Sequence, residues 1–300
     1  MSSGPSMYMD LNNGVKMPAL GLGVFLSPPE QTAEAVRMAI ENGYRLVDTA
    51  AVYNNERQVG EGIRRSGIAR AEMFVTTKLW IRDYGYEPAL CAFDASLRRL
   101  GLDYVDLYLL HWPVPSDFGA TVASYKAAEK MLVEGRARAI GVSNFNPRHL
   151  DELIRRTDVI PALNQVELHP YFIQQDVRGA NARYGITTQS WSPIGGVYQR
   201  HQPVNPHHVS GPLDNPVIVE LASRHAKTPA QIILRWHIEH RLSAIPKSVR
   251  RRRIVENIDI DDFTLAPEDI AAIDSLDTGV RSGSDPEILD DRLLSLKVQD

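Results

Sequence analysis

Four side chains in this sequence have the types and spacing to manage a proton at a carbonyl oxygen: Asp48, Tyr53, Lys78 and His111. Asp48, Lys78 and His111 lie towards the C-terminal ends of three short apolar, β-like runs, Arg45–Ala50, Met73–Trp80 and Val105–Trp112. A carboxylate and an ammonium turned inward at one end of a barrel must pair, because an isolated buried charge is costly or neutralises. Tyr53 follows five residues after Asp48, in the run Asp48-Thr49-Ala50-Ala51-Val52-Tyr53-Asn54-Asn55-Glu56, which carries it back over the same end. A phenol with a pKa near ~10 keeps its proton at neutral pH and transfers it reluctantly, and a neighbouring ammonium favours the phenolate. Lys78 would supply that ammonium, and His111 would offer a second donor to the same oxygen. Taken singly, each strand-end residue reads better as a capping or satisfied polar group, and a purely structural ion pair stays open for Asp48 with Lys78. Their joint placement favours a site.

The elements that must position them form a repeat. Strand-like runs occur at Ala19–Val24, Arg45–Ala50, Met73–Trp80, Val105–Trp112, Ala139–Phe145, Ala162–Leu168, Ile186–Ser192 and Leu242–Ser248. They are rich in β-branched and apolar residues, as strands buried on both faces are. Between them, Thr32–Glu41, Glu87–Arg99, Ser124–Glu134, Arg148–Arg156 and Gln174–Tyr184 show helical spacing, and Gly43, Gly101, Gly135 and Gly185 follow as terminators. Eight alternations predict an α/β fold, a closed (β/α)8 TIM barrel, with a hairpin (Tyr8–Leu11 and Val15–Ala19) before the first strand. Extra helices are expected at Pro216–His225, Pro229–Glu239 and Pro267–Ser275, before an irregular tail. In such a barrel the loops at the C-terminal strand ends build the active site. Ser143-Asn144, Gln165 and Lys247-Ser248 stand at those ends as well. The long polar stretch Gly195–Asn215 has the length and position of a lid.

Composition bounds the rest. Three hundred residues with 43% hydrophobic content suit one barrel-sized domain, residues 1–300. A net charge of −4 argues against general nucleic-acid binding. No run of eighteen apolar residues occurs, and Met1-Ser2-Ser3-Gly4-Pro5 lacks the features of a signal peptide, so a cytoplasmic protein with no membrane partner is expected. Cys91, the only cysteine, stands in Ala89-Leu90-Cys91-Ala92-Phe93, where a packed, inert helix position is expected. His201, His207 and His208 lack a compact ligand pattern, so no metal site is expected. Arg250, Arg251 and Arg252 read as a solvated helix face.

Several runs carry a family resemblance: Met17-Pro18-Ala19-Leu20-Gly21-Leu22-Gly23, Gly43-Tyr44-Arg45-Leu46-Val47-Asp48-Thr49-Ala50, Leu109-Leu110-His111-Trp112-Pro113, Ile140-Gly141-Val142-Ser143-Asn144-Phe145 and Ile245-Pro246-Lys247-Ser248. With them the chain resembles the aldo-keto reductases over roughly Met7 to Gly279. The resemblance implies reduction of an aldehyde or ketone by NADP(H) without a Rossmann domain. Gly21-Leu22-Gly23 agrees, since Leu26 stands where a dinucleotide fingerprint has its third glycine.

The resemblance also implies roles. Tyr53 is the acid, Lys78 and Asp48 tune it, and His111 orients the carbonyl; relatives that reduce steroid double bonds carry glutamate at the histidine position. Ser143, Asn144 and Gln165 would hold the nicotinamide carboxamide. Trp191 would stack on the ring, as in the bacterial 2,5-diketo-D-gluconate reductase-like branch. Ser192, Ile194 and Gly195 would meet the pyrophosphate. Lys247, Ser248 and Arg253 would take the adenosine 2′-phosphate, helped by a helix N-terminus near Arg250, with Val249 and Asn257 near the adenine. Phe25, Trp80 and Trp112 would wall the substrate pocket with His111. A monomer is the family's usual state. Two rival readings stay open: a Schiff base at Lys78, and an NADPH-binding sensor without turnover.

Overall fold

The computed structural model describes residues 7–195, 211–289 and 291–299. A hairpin of β1 (Tyr8–Asp10) and β2 (Lys16–Pro18) comes first, turning through Gly14 at φ +83. Leu11 and Met17 belong to the same buried cluster as Leu46, Phe74, Leu107 and Leu163, so the hairpin plugs one end of the sheet that follows. That sheet contains β3 (Leu22–Gly23), β4 (Leu46–Asp48), β5 (Phe74–Leu79), β6 (Val105–Leu110), β7 (Ala137–Ser143), β8 (Leu163–Glu167), β9 (Thr187–Trp191) and β10 (Ser243–Ala244), paired in parallel and in chain order. Leu20 bridges Ala244 and Gly23 bridges Lys247, joining the first strand to the last. The barrel is closed. Its seam requires Gly23, where a Cβ would stand 2.7 Å from the Ile245 carbonyl oxygen.

Alternation along the strands sorts the side chains. In β4 and β5, Leu46 and Phe74 pack in the inner cluster while Val47, Val75 and Leu79 join the outer one beneath the helices. Asp48 and Lys78 therefore sit in the inner series at its C-terminal end. Around the barrel run α1 (Pro29–Glu41), α2 (Glu56–Ser66), α3 (Tyr86–Leu100), α4 (Phe118–Val133), α5 (Pro147–Ile154) and α6 (Gln175–Arg183). They are followed by α7 (Pro216–His225), α8 (Pro229–Glu239), α9 (Arg251–Ile258), α10 (Pro267–Asp274) and a short α11 (Asp291–Ser295). Gly43, Gly101, Gly135 and Gly185 all take positive φ, as their places after helices predict.

Four expectations need correction or completion. Helix α4 begins at Phe118 rather than Ser124, because Asp117 caps it by accepting from Ala120 N at 3.1 Å. Apolar spacing does not announce α2, whose Gly60 and Gly62 leave no apolar stripe; a Cβ on Gly60 would lie 1.9 Å from the Leu100 carbonyl oxygen. Those glycines let α2 pack tightly. Cys91 lies on α3 as expected but is exposed, not packed. Buried Ala89 and Phe93 are each two residues away, about 200° around a helix, which turns Cys91 outward. The C-terminal tail is not wholly irregular: α11 packs Leu293 against Trp80 and Trp112. Of the expected lid, residues 196–210 lie outside the described residues, as do His201, His207 and His208.

Candidate active site

A cleft of about 200 Å³ opens at the C-terminal end of the barrel. Its floor is the inner series of strand-end residues. Lys78 Nζ donates to Asp48 Oδ1 at 2.5 Å and to the Thr49 carbonyl at 2.9 Å, and neither charged side chain is more than 2% exposed. Burial pushes the Asp48 carboxyl up and the Lys78 ammonium down, while their mutual attraction opposes both shifts. The pair keeps its charge through that attraction and the hydrogen bonds around it.

Above this pair stands Tyr53, in a single 3-10 turn (Ala51–Tyr53) that ends where Asn54 takes the left-handed conformation. Fully buried Asn55 ties the turn down, accepting from Thr49 Oγ1 at 2.8 Å and donating to the Val24 carbonyl at 2.9 Å. Next to it, Glu56 at the start of α2 accepts from Thr77 Oγ1 and from Arg99 Nε. These contacts place Lys78 Nζ 5.0 Å from the centre of the Tyr53 ring. The Tyr53 hydroxyl lies 3.5 Å from His111 Nε2. Burial, with the Lys78 charge as a smaller cause, holds the His111 imidazole well below the usual histidine range, so it is neutral at pH 7. Its Nδ1 is buried without a hydrogen-bond partner. A neutral imidazole has one N–H, and Nε2 is the nitrogen that faces the Tyr53 hydroxyl.

One wall is aromatic: Phe25, Trp80 and Trp112 line the cleft beside Tyr53 and His111. Trp80 packs edge-on to His111, with ring centres 5.2 Å apart. The opposite wall is polar. Asn144 donates from Nδ2 to the His111 carbonyl at 3.0 Å and to Ser143 Oγ at 3.1 Å, and its Oδ1 accepts from Trp191 Nε1 at 2.8 Å. Gln165 donates from Nε2 to Asp48 Oδ2 at 2.7 Å, joining this wall to the ion pair. Ser192, Ile194, Gly195 and Lys247 complete that side of the cleft. Leu26, Asn54, Asn144 and Ser192 all hold left-handed backbone around the mouth. For residues other than glycine such conformations cost of order 1–3 kcal/mol and cluster at working sites.

Lys78 lies beneath the cleft, and Ser248, Val249, Arg253 and Asn257 do not line it. They continue from Lys247 onto α9, where Ser248 Oγ accepts from Arg250 N at 3.1 Å just before the helix begins. Arg253 is exposed and Asn257, one turn further on, is buried. Arg250, Arg251 and Arg252 are exposed.

The structure adds cleft residues that strand-end reasoning overlooks: Val52 and, from the tail, Leu293 and Leu296. Trp80 Nε1 donates to the Leu296 carbonyl at 3.2 Å, and Asn54 Nδ2 to the Lys297 carbonyl at 3.1 Å. The signal for the tail is the i, i+4, i+7 spacing of Leu289, Leu293 and Leu296, which would share one face of a helix.

Residues 19–278 match the Aldo/keto reductase family. The chain belongs to it. Morphine 6-dehydrogenase of Pseudomonas putida is 59% identical over 96% of this chain and 97% of its own length. Glyoxal reductase of Bacillus subtilis is 46% identical over 93% and 96%. Among solved structures, an aldo-keto reductase from Bombyx mori in complex with NADP superposes with a TM-score of 0.84 at 35% identity, covering 95% of this chain and 96% of the other. The chain is accordingly an oxidoreductase acting on carbonyl compounds. Among the described residues, no helix is long and apolar enough to cross a membrane.

Proposed function

We propose that this aldo-keto reductase reduces aldehydes or ketones to alcohols with NADPH, Tyr53 giving the proton to the carbonyl oxygen. The observation that carries the assignment is the convergence of the Tyr53 hydroxyl and His111 Nε2, 3.5 Å apart, over the buried Lys78–Asp48 pair. A carbonyl oxygen between the first two groups would meet two donors at once. As the O–H bond of Tyr53 breaks, the lysine charge stabilises the phenolate left behind. Asp48 keeps that charge at the base of the site, and neutral His111 donates without competing as an acid.

The residues fit the coenzyme at both ends. Gln165, Asn144 and Ser143 present amide and hydroxyl groups suited to a carboxamide, beside the flat ring of Trp191. Lys247, Arg253 and the N-terminus of α9 gather positive charge where a phosphate monoester would need it. When bound, NADPH supplies the hydride and the chain supplies the proton. Ser192, Ile194 and Gly195 line the span between these ends, and Val249 and Asn257 would stand near the adenine. Phe25, Trp80 and Trp112 favour flat or apolar carbonyl compounds. A cytoplasmic, monomeric enzyme of one domain, near the bacterial diketogluconate-reductase branch, is the setting we propose.

The test is turnover on an aldehyde and ketone panel with NADPH and NADH, repeated with Lys247→Ala and Arg253→Ala. Multiple turnovers with NADPH, and a loss in the variants that is larger for NADPH than for NADH, are expected. Covalent trapping of substrate on Lys78 by borohydride would instead favour a Schiff-base enzyme, and NADPH binding without turnover a sensor.

A further inference from the structure

We propose that Gln189, which does not line the cleft, is a positioning residue that makes Gln165 an obligatory hydrogen-bond acceptor towards the coenzyme carboxamide. The inference rests on the reading above that Gln165 meets that group. A primary amide has two N–H donors and one carbonyl oxygen, and which of them faces a ligand depends on what holds the other.

Both Gln165 donors are used below the cleft. Its Nε2 lies 2.7 Å from Asp48 Oδ2 and 2.7 Å from Gln189 Oε1. The first contact chooses the orientation, because an ionised carboxylate only accepts and the atom facing Asp48 must be nitrogen. The second contact makes the choice exclusive by occupying the remaining hydrogen. The same logic passes on to Gln189: the Gln165 nitrogen has only hydrogens to offer, so the Gln189 atom facing it must be Oε1, and its Nε2 is held from behind by Ser243 Oγ at 2.9 Å.

Strand register puts the three in line. Gln165 pairs with Gln189 across β8 and β9, and Gln189 pairs with Ser243 across β9 and β10. Gln189 and Ser243 are fully buried and Gln165 is 2% exposed, so water does not compete for these bonds. No donor among the described residues reaches Gln165 Oε1, and Gln165 lines the cleft. A group arriving there is therefore asked for an N–H. The nicotinamide carboxamide has one to give, and an acetyl group in its place has none.

The chain Ser243–Gln189–Gln165 thus reads the amide end of the coenzyme from beneath, one residue removed from contact. Without Gln189, one Gln165 hydrogen loses its partner, and the amide, held by Asp48 alone, can swing about that single bond and carry Oε1 off its aim.

The test compares the Kd of NADP+ with that of its 3-acetylpyridine analogue, in which a methyl group replaces the carboxamide NH2, by calorimetry. The wild-type chain should prefer NADP+. Gln189→Leu should shrink that preference about tenfold, the worth of one well-placed hydrogen bond. Gln189→Glu should restore most of it, because an acceptor oxygen returns opposite Gln165. Ser243→Ala, a small change that removes the anchor behind the Gln189 amide and loosens its aim at Gln165, should lower the preference about threefold. It serves as the test should Gln189→Leu not fold.

Gln165→Leu separates this inference from its premise. If the preference survives in Gln165→Leu, the residue does not meet the carboxamide. If it is lost there but unchanged in Gln189→Leu, or in Ser243→Ala where the leucine variant does not fold, the positioning role of Gln189 is overturned.

Discussion

The Tyr53 hydroxyl and the Nε2 of His111 lie 3.5 Å apart, with their rings edge to face. Only one of the two carries a readily transferable proton under the site's own electrostatics, because burial keeps the imidazole neutral and its N–H a weak acid. Tyr53→Phe should therefore lower kcat for carbonyl reduction by about 10²–10⁴-fold, the usual worth of a positioned acid. NADPH affinity should stay within about twofold by fluorescence titration, since no coenzyme-holding bond is removed. Equal turnover in the variant would remove Tyr53 from the mechanism.

Lys78 and Asp48 predict a thermodynamic signature separate from catalysis. Lys78→Met strands a buried carboxylate and should cost about 3–5 kcal/mol of stability in urea unfolding. The double variant with Asp48→Asn should be more stable than Lys78→Met alone, because the stranded charge is removed with its partner. Additive losses would mean that the two groups do not depend on one another.

The reason this much of the site is readable in the chain is local. Barrel strands alternate strictly, so a polar residue in the inner series at a C-terminal strand end, such as Asp48, Lys78 or His111, has few places to go except the mouth. The tail has no such rule: Leu293 and Leu296 reach Trp80 by tertiary packing that no strand register announces. Gln189 is hidden for a different reason. In a β-like run it reads as one polar residue among several, and its partners Gln165 and Ser243 are 24 and 54 residues away. Helix α2 was obscured by its own glycines, whose purpose is close packing against α1 and α3.

Stability should fall in acid through His237. This residue is fully buried beneath the cleft wall, with Nε2 3.1 Å from the Pro193 carbonyl and Nδ1 3.2 Å from Ser190 Oγ. Burial pushes its pKa down to about 3, against the smaller opposing effect of the Pro193 contact. An unfolded histidine binds a proton below about 6.5, which the folded one refuses. The stabilisation is full above that pH and is lost as pH falls towards 3, at up to about 1.4 kcal/mol per pH unit. His111 has the same sign. Urea unfolding between pH 7.5 and 4.5 should show a shallower loss in His237→Gln than in the wild type; identical slopes would contradict the burial of a neutral imidazole.

The last relationship joins the tail to the polar wall of the cleft. Glu167, fully buried at the end of β8, accepts from Ser282 N at 2.8 Å, Gly283 N at 2.9 Å and His169 Nε2 at 3.1 Å. Burial alone would raise its pKa, but these bonds outweigh it and hold the carboxyl below the usual range, so it stays charged at neutral pH. That anchor lays Gly283 against the Trp191 ring, where an added Cβ would stand 2.5 Å from Trp191 Cη2. Gly283→Ala should displace the indole and weaken NADPH binding about tenfold, in line with a modest overpacking cost. The melting temperature should fall by only a few degrees, because the added methyl meets one half-exposed indole rather than the barrel core. Unchanged NADPH affinity, measured by quenching of tryptophan fluorescence, would show that the position of Trp191 does not govern coenzyme binding.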